Sequence, residues 1–159
     1  ADECHHFGDS AEEWHAVLQA YHTTCAEVAT RFAGYLAQYL GDGVLIYFGC
    51  PQAQEDDALR AVRAGLACVA ALQPPGRPVQ VRVGIHTGLV VLSPVGVGPR
   101  QDPLALGDTP HLAAQLQESA PPGTVVCSAS TARLVDGYVT LEARGAQTVK
   151  GTATPLPVN

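Results

Sequence analysis

The stretch Tyr39-Leu40-Gly41-Asp42-Gly43-Val44-Leu45-Ile46-Tyr47-Phe48-Gly49 sets one carboxylate between two glycines and two apolar runs. Asp-Gly is frequent hairpin-turn chemistry, since both residues tolerate positive φ. Taken alone, Asp42 is therefore a turn residue that also presents a carboxylate at a tip. Other residues with chemical capacity are spread along the chain. His111 and Gln115 are four residues apart, so on a helix they share one face. Gln38 offers a donor and an acceptor in one amide, which suits it to reading a base edge or to facing solvent on a strand. Lys150, in Val149-Lys150-Gly151, reads by itself as a turn lysine. His5 and His6 are adjacent, His15 and His22 are seven apart with no third ligand nearby, and His86 is the middle of Gly84-Ile85-His86-Thr87-Gly88; none of these is a metal-binding pattern. Cys4, Cys25, Cys50, Cys68 and Cys127 are odd in number and form no C-x-x-C, so neither a disulfide framework nor a zinc site is expected.

The elements that must position these groups follow from periodicity. Trp14, Val17, Leu18, Tyr21, Cys25, Val28 and Phe32 recur at helical spacing, and Ser10 with Glu13 has the form of a capping box, which predicts a helix from about Ser10 to Phe32 ended by Gly34. Tyr35 to Leu40 and Val44 to Phe48 read as a hairpin around Gly-Asp-Gly. Leu59, Val62, Leu66, Val69 and Leu72 mark the inner face of a second helix, with Glu55, Asp56 and Asp57 at its positive end. Val79 to Ile85 and Leu89 to Leu92 read as strands, and Val95 to Pro103 as a Gly/Pro-rich loop or hairpin tip. A third helix starts near Thr109, read as its cap, with Pro110 in the first turn. Thr124 to Cys127 is a short strand, Ser128 to Val135 a short helix, and Tyr138 to Val158 two or three strands. Helices alternating with paired strands predict an α+β fold with a ferredoxin-like βαββαβ core, a mainly antiparallel sheet and helices on one face. The chain reads as one domain over 1–159, with residues 1–9 too polar for a central strand.

Length, composition and charge bound the function. A chain of 159 residues, 47% apolar and 15% charged, has globular composition. A formal net charge of −6 with nine Lys plus Arg argues against a nucleic-acid backbone or an anionic membrane as partner. No apolar run reaches the length of a membrane span and no basic-then-apolar leader is present, so the expected compartment is the cytoplasm.

Taken with Leu106-Gly107-Asp108-Thr109-Pro110-His111-Leu112-Ala113-Ala114-Gln115, these stretches make the chain from Trp14 onward resemble the catalytic domain of a class III nucleotidyl cyclase. The resemblance implies a site shared by two domains, as a homodimer or a heterodimer. It implies two Mg²⁺ or Mn²⁺ ions that activate the ribose 3′-hydroxyl of a nucleoside triphosphate, ATP ahead of GTP, for attack on the α-phosphorus. By the same resemblance Asp42 is one metal ligand, and Asp2 is the other if Ala1-Asp2 ends a truncated or degenerate first strand. Lys150 matches the triphosphate lysine. Gln38 and Leu104 stand where the family reads adenine with Lys and Asp, so Leu104 offers only an apolar wall. His111 and Gln115 stand where the family places the Asn and Arg that stabilise the transition state. Neutral Gln115 cannot offset charge on the phosphorane as a guanidinium does, and loss of one such donor costs about 10²- to 10³-fold in rate. Two classes of function follow from this pattern. The first is a cyclase impaired in this chain, including the metal-bearing half of a heterodimer; the second is a silent cyclase-homology module that dimerises or regulates.

Overall fold

The computed structural model describes residues 6–40, 43–50, 52–72, 81–95, 102–142, 146–148 and 155–157. In chain order these form α1 (His6–Arg31), β1 (Tyr35–Leu40), β2 (Gly43–Tyr47), α2 (Asp57–Ala71), β3 (Val83–Ile85), β4 (Val91–Val95), β5 (Asp102–Leu106), α3 (Thr109–Ser119), β6 (Val125–Cys127), α4 (Ala129–Val135), β7 (Ala146–Thr148) and β8 (Pro155–Pro157). Pairs β1–β2, β4–β5 and β7–β8 are antiparallel, and β3–β6 is parallel. The α+β class expected from the sequence is the one found.

Both ends of α1 differ from the sequence reading. The helix α1 begins at His6, so Ser10 and Glu13 lie inside it and form no capping box. Phe7 falls two turns before Trp14 in the same apolar stripe, which continues the helical pattern past the Ser10 signal. At the other end the left-handed residue is Ala33, at φ 56°, and not Gly34. The Ala33 amide donates to Thr30 O at 3.2 Å and the Gly34 amide to Ala29 O at 2.7 Å, the two bonds of a Schellman motif. Gly34 serves packing instead. A Cβ there would come within 2.8 Å of Phe48 Cζ and 2.9 Å of Ile46 Cγ2, so its lack of side chain lets the turn lie on β2.

Arg60 ties this corner together. Its guanidinium donates to Phe32 O at 2.9 Å and Ala33 O at 3.1 Å, pairs with Asp56 at 3.1 Å and with Asp57, and lies over the Phe48 ring. The carbonyls left over at the end of α1 are thus satisfied by a residue of α2. Asp57 in turn accepts from the Gln54 amide at 2.7 Å. Beneath the hairpin, Cys25 and Val28 of α1 meet Ala64 and Cys68 of α2, with Phe32, Val44 and Phe48 packed around them.

The pair β3–β6 lies between helices. Gly65 of α2 faces Val83, Val125 and Ile85 with 3.1 to 3.4 Å left for a Cβ. Gly84 looks the opposite way, and a Cβ there would overlap Gln117 N and Ala113 O of α3. Successive strand residues point to opposite faces, so α2 covers one face of β3 and α3 the other. Leu116, Ala120 and Val126 close the α3 side, and Ala58, Val62 and Val135 the α2 side.

Candidate active site

The hairpin β1–β2 pairs Tyr39 with Val44 and Leu40 with Gly43, leaving Gly41 and Asp42 to join the strands. Asp42, Asp2 and Lys150 lie outside the described residues. The register shifts between Leu36 and Gln38, an irregularity at Ala37 that resets the strand one residue before Gln38. Gln38 is exposed and stands opposite Leu45. Leu104 is in β5, opposite Ser93 in β4, and β5 runs close to β1. The backbone therefore sets Gln38 and Leu104 on neighbouring strands.

His111 and Gln115 occupy the first two turns of α3. Thr109 is the first helical residue and Asp108 the N-cap, one position earlier than the sequence suggests. The Thr109 hydroxyl does not cap. It donates to Leu89 O at 2.7 Å and so ties the start of α3 to the chain leaving β3. Leu116, 1% exposed, anchors the inner face, which leaves His111 exposed and Gln115 half-buried. Gln115 Nε2 lies 2.7 Å from His111 Nε2. With the amide N–H donating, the ring nitrogen accepts, and the proton of the neutral imidazole sits on Nδ1. The two side chains expected to face a substrate thus bond to each other.

Sequence reasoning missed a second set of polar residues behind α3. His86 Nδ1 is 2.7 Å from Ser128 Oγ, which also meets Ser130 Oγ at 2.9 Å; Thr87 Oγ1 meets Thr131 Oγ1 at 2.8 Å, and Ser130 donates to Thr87 O at 2.9 Å. Ser128 and Thr131 are fully buried, and burial holds the His86 imidazole below its ordinary pKa. This network fixes residues 86–88 against the start of α4. Gly88 passes so near α3 that a Cβ would stand 2.7 Å from Thr109 Oγ1. The signal was present as Ser128, Ser130 and Thr131 in one run and Thr87 beside His86, but hydroxyl pairing between distant segments leaves no periodicity to read.

Among the described residues no three His, Cys, Asp or Glu side chains come together as a metal site. His15 is exposed, and the His22 ring packs on Tyr39 with centroids 4.3 Å apart. Described helices include none long and apolar enough to cross a membrane.

This architecture, paired strands and a parallel β3–β6 pair covered by α2 on one face and α3 on the other, is that of a nucleotidyl cyclase homology domain. The model of the adenylate and guanylate cyclase catalytic domain matches residues 4–156, and the chain belongs to that family. It is 31% identical over 161 residues to Adenylate cyclase 1 of Rhizobium meliloti (strain 1021), covering 95% of this chain and 24% of that protein. It superposes on the adenylyl cyclase CyaB from P. aeruginosa with a TM-score of 0.83 at 26% identity, over 92% of this chain and 81% of that one. With the guanylyl cyclase Cya2 the TM-score is 0.80 at 27% identity, over 93% and 79%. The chain spans a quarter or less of the length of the first curated relatives it matches.

Proposed function

We propose that this chain is a single catalytic domain, 1–159, that forms a 3′,5′-cyclic nucleotide with release of pyrophosphate, from ATP ahead of GTP, and that it does so weakly when paired with itself. The observation that carries the reading is the family match across 4–156. An adenylyl and a guanylyl cyclase are matched about equally well, and Gln38 and Leu104 lack the Lys and Asp with which the family reads adenine, so the order of ATP before GTP rests on the likeness to Adenylate cyclase 1. The domain works in the cytoplasm, beside a second cyclase domain, in a longer protein.

By the resemblance to the family, Asp42 with Asp2 is the pair that would hold Mg²⁺ or Mn²⁺. Divalent ions supply charge neutralisation and hydroxyl activation when bound. On the chain's own side, the root of the hairpin is clamped by Arg60, which gives its tip a fixed base. Lys150 contributes a point charge for the triphosphate. Gln38 and Leu104 provide one amide and one apolar wall for the base. His111 and Gln115 provide hydrogen bonds but no fixed positive charge for the phosphorane.

The bond between His111 and Gln115 also favours a second reading, a silent module whose altered pair satisfies itself instead of a substrate. A cyclic-nucleotide assay with Mn²⁺ and ATP or GTP separates the two. The unmodified chain should turn over little. His111→Asn with Gln115→Arg should raise the rate by about 10²-fold or more, the scale of one restored electrostatic donor. Adding Asp42→Asn to that variant should remove the gain, because Asn keeps the turn and deletes the charge. No rise in the double variant, alone or mixed with a cyclase domain that keeps Asn and Arg but lacks its metal carboxylates, would establish the silent module.

A further inference from the structure

Two core cysteines are placed to react with each other. Cys25 on α1 and Cys68 on α2 are 4% and 6% exposed and belong to one cluster with Val28 and Ala64. Both are free thiols, 43 positions apart in sequence (68 − 25). The two thiols interact across this cluster, which holds the Cys25 thiol well above its ordinary pKa and lowers that of Cys68, to which the Arg31 guanidinium adds attraction against the opposing effect of burial. The pair is therefore unequal: one sulfur is favoured as thiolate, the other keeps its proton. Cys50 and Cys127 differ, since burial raises both.

We propose that Cys25 and Cys68 form a dithiol modification site, which hydrogen peroxide converts into an intramolecular disulfide joining α1 to α2. The Cys68 thiolate attacks one peroxide oxygen; the O–O bond breaks, a sulfenic acid forms, and the departing hydroxide is protonated to water. Cys25 sulfur then attacks the sulfenic sulfur; the S–S bond forms, the S–O bond breaks, and the second water leaves with the Cys25 proton. Two thiols and one peroxide thus give one disulfide and two waters, with two electrons passing from sulfur to oxygen. Val44 and Phe48 of the hairpin pack on this cluster, so the bridge would lie under β2. The proposal is independent of which nucleotide, if any, the domain converts.

Tryptic mapping of the folded protein after hydrogen peroxide treatment, without reductant, tests it. Cleavage isolates Cys68 in Ala64–Arg82, because the Arg77-Pro78 bond resists trypsin, and places Cys25 with Cys4 in Ala1–Arg31. In a Cys4→Ser background the expected product is these two peptides joined with loss of two hydrogens, reversed by dithiothreitol. The bridged protein should melt higher by roughly 5 to 15 °C, as a disulfide closing a loop of this length does. Cys25→Ser should leave Cys68 trapped as a sulfenic acid that dimedone labels. Overturning results are a Cys68 peptide that stays a free thiol while Cys50 or Cys127 is oxidised, oxidation of Cys68 to sulfinic acid with no bridge, or a bridge to another cysteine. The mapping in the otherwise native chain decides the matter even if Cys25→Ser folds poorly.

Discussion

Around β1 and β2 the chain is held by apolar contact and one guanidinium, whereas around β3 and β6 it is held by backbone approach and paired hydroxyls. In the first region the core is thiols, valine and aromatic rings, and Arg60 links the end of α1 to the start of α2. In the second, α3 rests on a glycine of β3, and His86, Ser128, Thr131 and Thr87 close a ring of hydrogen bonds. Apolar packing accepts changes of shape at modest cost, while a backbone-to-backbone contact cannot yield. The region carrying His111 and Gln115 is thus the stiffer scaffold.

The largest expected effect breaks the second region. Gly84→Ala would drive a methyl group into Gln117 N and Ala113 O, and no flexible side chain is there to move aside. A loss of about 3 kcal/mol, at the upper end for overpacking, is expected from urea denaturation. A loss under about 1 kcal/mol would mean that α3 can slide and that the two regions do not differ in stiffness.

Arg60→Met keeps the apolar stem over Phe48 and removes the bonds to Phe32 O and Ala33 O. The exposed pairing with Asp56 counts for little, so about 2 kcal/mol is expected, mainly from carbonyls left unsatisfied. Hydrogen exchange should speed up in Tyr35–Leu40 and Gly43–Tyr47 while Val83–Ile85 stays protected. Equal acceleration in both regions would contradict a local clamp. A smaller change of opposite sign comes from Ala33→Gly. It relieves a left-handed alanine at φ 56° but adds chain entropy, for a net gain of about 0.5 kcal/mol. The rise in urea midpoint measures it.

How much of this could be read from sequence also divides by region. The hairpin was legible because alternation and Gly-Asp-Gly are local signals, and the register Leu40 to Gly43 bears that out. The helix α2 was legible from its apolar stripe. The Arg60 clamp was not, since its acceptors lie 27 and 28 residues away and are main-chain carbonyls, which every residue type carries. Ala33 was hidden for a related reason: the Schellman turn falls one residue before the glycine that signals a helix end. In the candidate site, the shared face of His111 and Gln115 followed from spacing, but their mutual hydrogen bond did not, and the strand that carries Leu104 beside that of Gln38 was not read from the sequence. Spacing places two side chains side by side; it does not say whether they turn to each other or outward.

The last prediction sharpens the comparison through pH. Burial holds His86 below its ordinary pKa of 6.5, and the groups that face it, Ser128 through Nδ1 and Gly88 beside Thr109, are uncharged. The unfolded chain therefore takes up a proton at a higher pH than the folded chain does. Around that value the unfolded state binds more protons, so stability rises with pH. The contribution is fully present above the unfolded value and is lost as pH falls from about 6.5 toward the depressed folded value. His86→Gln, which can keep a hydrogen bond to Ser128 but cannot titrate, should flatten this component. Urea midpoints measured between about pH 8 and about pH 5 for both proteins give the difference directly. Wild type should fall more steeply than the variant below about pH 6.5. Parallel curves would show that imidazole burial is not coupled to folding here, and the hydroxyl ring would then be a passive part of the scaffold.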